Sequence, residues 1–225
     1  MEFDGQFASD GELMAIHDDT LDRTTDWTGP VTERTSTELA KCNAAAKWDG
    51  WEFEPVPRVR DLLTEGRDAG WNLICEIKNI PGQARFDHSG KSYADELIKV
   101  VEETAFPLDR LVMICFWAPT LDAIRRRRTD IALGLLSVAD LPGEFGLSAA
   151  RNVELCRERG FHIAAPRHST PDLTDDLVKA AHDGGVQIHV WTPNEPEEIG
   201  RAVALGLDGI TSDYPERVYE ALGDH

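Results

Sequence analysis

The feature that most constrains this chain is a sustained alternation of apolar strand-like runs with amphipathic helical runs from Asn72 onward. The strand-like runs are Asn72 to Lys78 (NLICEIK), Leu111 to Phe116 (LVMICF), Ile131 to Leu136, Phe161 to Ala165, Val186 to Thr192 and Asp208 to Thr211. Between and after them the helical period predicts helices over Tyr93 to Glu103, Thr120 to Arg128, Ser148 to Arg159, Leu173 to Asp183, Glu195 to Ala204 and Pro215 to Leu222. Strands this apolar cannot face water on one side, so the pattern predicts a parallel sheet with helices on both faces. With one earlier strand, the series is centred near Glu2, Glu76, Cys115, Leu135, Ile163, Val190 and Ile210, which makes seven. A closed barrel of this kind has eight. The expected fold class is therefore α/β, a (β/α)8 TIM-type barrel lacking its first βα unit, and the chain start is where that unit would go.

Residues 1–225 read as a single barrel domain with a hairpin and loop insertion at about 7–58. Glu2 and Asp4 stand at alternate positions of a short run, and alternate side chains of a strand share one face. A Ser-Asp-Gly turn at Ser9 to Gly11 then reverses the chain, and a second run, Glu12 to Ile16, delivers His17 beside Asp18 and Asp19. Two acids on one face with an imidazole returning nearby suit a metal site with an acid–base residue, although a polar hairpin with an ordinary exposed histidine has the same pattern. A short helix is expected at Ser36 to Cys42 and another at Val59 to Gly66. The segment 43–58, with Trp48, Trp51, Phe53 and two prolines, suits an ordered insertion packed on the rim.

The charge balance narrows the partners. Asp and Glu number 41 against 23 Lys and Arg, a net charge of -18. Such a field repels nucleic acid and anionic membranes, so neither is expected as a partner. The same excess of acid, with few lysines, suits a protein working in high salt. Cys42, Cys75, Cys115 and Cys156 are widely spaced and imply no zinc site. No apolar run is long enough to span a bilayer, so the expected location is cytoplasmic.

The polar residues gather after the strands. Glu2 and Asp4, Glu76 and Lys78, Phe116 and Trp117, Trp191 and Asn194, and Ser212 and Asp213 all fall at carboxyl ends of strands, the face on which barrel enzymes keep their active sites. Glu76 and Lys78 share one strand face, where a simple strand-end salt bridge is the alternative. Together with Glu2 and Asp4, Glu76 makes a set of carboxylates suited to one hard cation, Mg²⁺ or Ca²⁺.

These words match a known family. EFD at Glu2 to Asp4, SDGELMAIHDDTLDRTT at Ser9 to Thr25, VP at Val56 to Pro57, EIK at Glu76 to Lys78, VWTPN at Val190 to Asn194 and GLDGITSDYPE at Gly206 to Glu216 stand in the order found in the glycerophosphodiester phosphodiesterases, which the chain resembles over essentially its whole length. The resemblance implies a metal-dependent (β/α)-barrel hydrolase that cleaves a small-molecule glycerophosphodiester to an alcohol and glycerol 3-phosphate. It implies Glu2, Asp4 and Glu76 as ligands of a divalent cation, His17 as a catalytic histidine and Lys78 as a phosphate contact. Phe116 and Trp191 match aromatic positions of the substrate pocket. The family opens with a strand carrying His-Arg-Gly and a helix containing Pro-Glu-Asn-Thr; neither stands ahead of Glu2, which predicts an N-terminally truncated reading of the chain. Two alternatives stay open: a catalytically impaired barrel that binds phosphodiesters or a partner chain, and a phosphodiesterase acting on another lysophospholipid-type substrate. A homo-oligomer is allowed. His88, His162, His168, His182 and His189 match no motif position and are expected to be structural or surface residues, as is the run Arg125 to Arg128.

Overall fold

A computed structural model describes residues 1–139 and 146–223. The chain divides into two compact units, Met1–Met113 with Asp122–Ile131, and Ile114–Leu121 with Ala132–His225.

In the first unit the order of hydrogen-bonded strands is β2-β1-β3-β4, with β1 at Glu2–Phe7, β2 at Leu13–Ala15, β3 at Leu73–Ile77 and the first residues of β4 (Leu111–Cys115). β1 lies parallel to β3 with Asp4 opposite Glu76 and Gly5 opposite Ile77. Its far end turns back on itself: Gly5, Gln6 and Phe7 pair antiparallel with Ala15, Met14 and Leu13. Sequence placed the acids at the carboxyl end of their strand, whereas they lie in the first half of β1. The hairpin explains part of the difference, because it prolongs β1 past the level where its parallel partner ends; Asp4 stands near the end of the parallel stretch and Glu2 at its start.

Helices α1 (Ser36–Leu39), α2 (Val59–Ala69) and α3 (Lys91–Thr104) follow the apolar period. α1 is shorter than expected, yet it carries a full capping box in which Thr35 and Glu38 satisfy each other's backbone amides. On α3 the buried side chains Tyr93, Leu97, Val100, Val101 and Thr104 form the inward stripe, at spacings of three and four.

The insertion has a small core of its own, where Ala8, Met14, Leu21, Val31, Leu39, Cys42 and Val56 pack together. The aromatics expected to pack on the rim do not join it: Trp48, Trp51 and Phe53 are 68%, 69% and 54% exposed. Hydrogen bonds order this segment instead. Asn43 Oδ1 accepts from the amides of Ala45 and Glu54, and Ala44 N donates to the Glu54 carbonyl, so the loop closes without burying its rings.

In the second unit the order is β5-β6-β7-β8, at Ala132–Ser137, Ile163–Pro166, Gln187–Trp191 and Gly209–Thr211. Each neighbour pair is parallel, with Leu135 opposite Ala164, Ala164 opposite Ile188 and Val190 opposite Ile210. β6 is buried at every position, as a strand covered on both faces must be. The first half of α4 (Ala118–Arg125) belongs to this unit, and α5 (Ala149–Arg159), α6 (Asp175–Asp183), α7 (Pro196–Ala204) and α8 (Pro215–Leu222) alternate with these strands. Thr174 caps α6 by accepting from Leu177 N, with Asp175 and Asp176 in the first turn, so the helix starts two residues after the Leu173 that its sequence predicts. The strand series counted from sequence is thus present as β1 and β3 to β8, with β2 as the hairpin arm outside it.

Candidate active site

The three carboxylates converge. Glu2 and Asp4 point to one side of β1, and the parallel register sets Asp4 directly across from Glu76. One oxygen from each of Glu2, Asp4 and Glu76 lies within 4.8 Å of the others. Lys78, the next residue on the Glu76 face, is buried between them: its Nζ lies 2.8 Å from Asp4 Oδ1 and 2.7 Å from Glu76 Oε1. The strand-end salt bridge that the sequence allowed is therefore real, and it includes a third residue.

Burial and mutual repulsion set the charges here. Burial first, then the Asp4 and Glu76 charges, push the Glu2 carboxyl up to about 8. Glu76 is raised as well, chiefly by burial, with Lys78 opposing. Burial works against the Lys78 charge, but the Glu76 and Asp4 carboxylates outweigh it and hold its pKa above the ordinary lysine value. Three oxygen donors of this kind, close-set and short of positive charge, fit a hard divalent cation.

His17 follows β2 and is 63% exposed. Its Nδ1 lies 2.7 Å from Asp18 Oδ1, and Asp18 is gripped by Arg23, whose Nε and Nη2 donate to Oδ2 and Oδ1 at 2.7 and 2.8 Å. The Arg23 bonds are the main reason the Asp18 carboxyl is held down at about 2. The charge of His17 also reaches Glu76, where it opposes the upward shift.

Sequence reasoning placed His17 but gave no part to Asp18 or Arg23. The signal was present in the HDDTLDR word, since an acid beside the imidazole and an arginine five residues on are a short loop apart. Gln6 was also passed over, although it continues the alternate face of Glu2 and Asp4.

In the second unit Phe116 and Trp191 meet edge to face, with ring centroids 5.5 Å apart and planes at 90°. Trp191 is fixed by its Nε1, which donates to the Ala165 carbonyl. Asn194 and Asp213 are tied to each other, through a 2.7 Å bond from Asn194 Nδ2 to Asp213 Oδ2, and Ser212 Oγ donates to Asn194 Oδ1. The unmatched histidines have structural surroundings. His162 Nδ1 accepts from Leu133 N, His182 contacts Asp208 at 2.8 Å, and His88 stacks edge-on against Phe86. His189 is half-buried against Gly209.

A cleft of about 770 Å³ in the first unit is walled by Trp48, Trp51, Pro55 and Trp71, and none of Glu2, Asp4, His17, Glu76 or Lys78 lines it. A smaller cavity of about 220 Å³ does reach the site, between Gln6, Lys78, Thr20, Thr32, Gln83 and Arg85.

Known proteins resemble this chain over most of its length. A glycerophosphodiester phosphodiesterase of Caldanaerobacter subterraneus subsp. tengcongensis is 28% identical over 222 residues, covering 96% of this chain and 82% of the relative. The crystal structure of a putative glycerophosphoryl diester phosphodiesterase from Silicibacter pomeroyi superposes with a TM-score of 0.81 at 27% identity, over 99% of this chain and 82% of that one. An Oleispira antarctica phosphodiesterase, solved in complex with the product sn-glycerol-3-phosphate, shares the fold with a TM-score of 0.81 at 22% identity, over 99% of this chain and 84% of that one. The barrel-type α/β fold read from the strand series is the fold of these structures. The model of the glycerophosphoryl diester phosphodiesterase family matches residues 1–217, and the chain belongs to that family.

Proposed function

We propose that this protein hydrolyses glycerophosphodiesters to an alcohol and glycerol 3-phosphate at the Glu2–Asp4–Glu76 cluster. The observation that carries the reading is the convergence of those three carboxylates on Lys78, in the unit that also holds the His17–Asp18–Arg23 array. Glu2, Asp4 and Glu76 are the residues that would hold Mg²⁺ or Ca²⁺, which when bound supplies positive charge against the phosphate oxygens. Lys78 adds a buried ammonium that contacts the same phosphate.

Hydrolysis places a water oxygen on phosphorus and breaks the bond to the alcohol oxygen, so a proton must move between them. His17 holds that proton at Nε2, because its Nδ1 faces Asp18. Asp18 keeps the ring in one orientation, while Arg23 keeps Asp18 ionised. Phe116 and Trp191, which meet edge to face in the second unit, are the aromatic residues we assign to binding an organic group. Residues 1–225 act as one catalytic domain in this reading, supported by a family match that runs through residues 1–217. The cytoplasm is the compartment we favour, since all four cysteines are buried rather than arranged as a surface disulfide framework. No helix among the described residues is long and apolar enough to cross a membrane.

The direct test is release of glycerol 3-phosphate from glycerophosphocholine. Activity is expected with Mg²⁺ or Ca²⁺, lost in EDTA and restored by the cation. Full turnover in EDTA, or in a Glu76→Ala variant, would overturn the metal assignment, and no release under any of these conditions would overturn the reaction.

A further inference from the structure

Gln6 is a buried amide on the acid face of β1, two residues beyond Asp4, and only 4% exposed. A buried amide nitrogen must spend its protons on acceptors. Gln6 Nε2 donates both to backbone carbonyls, Ile16 O at 2.7 Å and Asp18 O at 2.8 Å. Those are the carbonyls on either side of His17.

The choice of acceptors matters because the regular strand bonds stop short of His17. The β1–β2 ladder ends at the Gly5–Ala15 pair, and beyond it Ile16 N donates to Asp4 O as the last backbone rung. The ring of His17 is itself mostly exposed, so packing does not hold it. One side chain therefore bridges the strand that carries two of the acids to the backbone on both sides of the imidazole. We infer that Gln6 is a positioning residue for His17, fixing the backbone from which the ring reaches the site while Asp18 fixes the ring itself. Its kinetic consequence rests on the phosphodiesterase function proposed above, whereas its effect on the ring does not.

Gln6→Met tests this, since it keeps the length and most of the volume but has no donor. Loss of one positioned acid–base group typically lowers turnover by about 10²–10⁴-fold, and loosening it is expected to lower kcat by about 10–10²-fold with KM within about twofold. In the His17→Ala background the same change is expected to have no further effect, because a residue that acts through His17 has nothing left to position. In an NMR spectrum of the ring Cε1–Hε1 pairs, the His17 peak is expected to shift or broaden in Gln6→Met while the other histidine peaks stay in place. Wild-type kcat with an unmoved His17 peak would overturn the inference, as would a loss that multiplies with His17→Ala. If Gln6→Met does not fold, Gln6→Asn, a methylene too short to reach both carbonyls, takes its place with the same expected outcomes. If the wild type turns over no glycerophosphodiester, the proposed reaction fails, and the His17 peak alone decides the part played by Gln6.

Discussion

His17 Nδ1 stands 2.7 Å from Asp18 Oδ1, and the same carboxylate is held from behind by Arg23. An imidazole fixed at one nitrogen presents the other to the reaction, which is the arrangement by which a neighbouring acid makes a histidine an effective proton carrier. Asp18→Asn removes the carboxylate that orients the ring and one arm of the arginine fork. Turnover is expected to fall by about 10–10²-fold, less than for a buried triad because this pair is partly exposed to solvent. A steady-state assay with unchanged kcat would mean that Asp18 does not act on His17. The Asp18 carboxyl is held at about 2, below its ordinary 3.8, so its ionised form favours the folded state. That stabilisation is complete at pH values above the ordinary range and is lost as the pH falls towards 2.

Lys78 is only 6% exposed and is the ammonium shared by Asp4 and Glu76. Lys78→Met leaves these buried carboxylates without their partner, and stripping one side of a buried ion pair costs about 3–5 kcal/mol. Urea unfolding in EDTA is expected to show that loss, and added Mg²⁺ or Ca²⁺ to restore part of it. An unaltered urea midpoint would show that the ion pair adds nothing to stability.

Glu2 titrates in the opposite sense to Asp18. Its carboxyl is raised from 4.5 to about 8, so across that interval the folded protein keeps a proton that the unfolded chain gives up. Stability must then fall as the pH rises through the interval when divalent cations are chelated. Thermal melts in EDTA are expected to show Tm declining from pH 5 to pH 8, less steeply in Glu2→Gln. Saturating divalent cation is expected to flatten the wild-type slope by holding the ionised form. Parallel slopes in the two proteins would rule out Glu2 as the source.

Gly209 and Gly200 make a paired test of packing. A Cβ built at Gly209 would stand 2.6 Å from the His189 ring, across the β7–β8 pair, whereas one at Gly200 on α7 meets nothing within 4 Å. Gly209→Ala is expected to destabilise by about 1–3 kcal/mol through overpacking. Gly200→Ala sits in a helix interior and is expected to stabilise by about 0.5–1 kcal/mol. Denaturant midpoints that move the same way in both variants would contradict the contact at His189.

The net charge of -18 makes its own prediction. Screening relieves self-repulsion, so Tm is expected to rise between low and molar NaCl. A Tm independent of salt would remove high-salt adaptation as the reason for this composition.

The amino-acid sequence by itself determined what repeats over two to four residues. The strand period put Glu2 and Asp4 on one face, the helical period set the buried stripe of α3, and Thr174 with its following acids marked the start of α6. A turn of Ser, Asp and Gly was enough to bring the chain back to His17. What the tertiary structure decided is which distant residues meet. Asp4 faces Glu76 only because β1 lies beside β3 in that register, and no local pattern contains the register of strands separated by some seventy residues. The insertion shows the same limit, since it reads as an ordered segment packed on the rim, yet its three aromatics lie exposed and hydrogen bonds close the loop. Gln6 shows it most clearly. Nothing in its local sequence marked it out, and only the return of the hairpin gave its amide the two carbonyls beside His17.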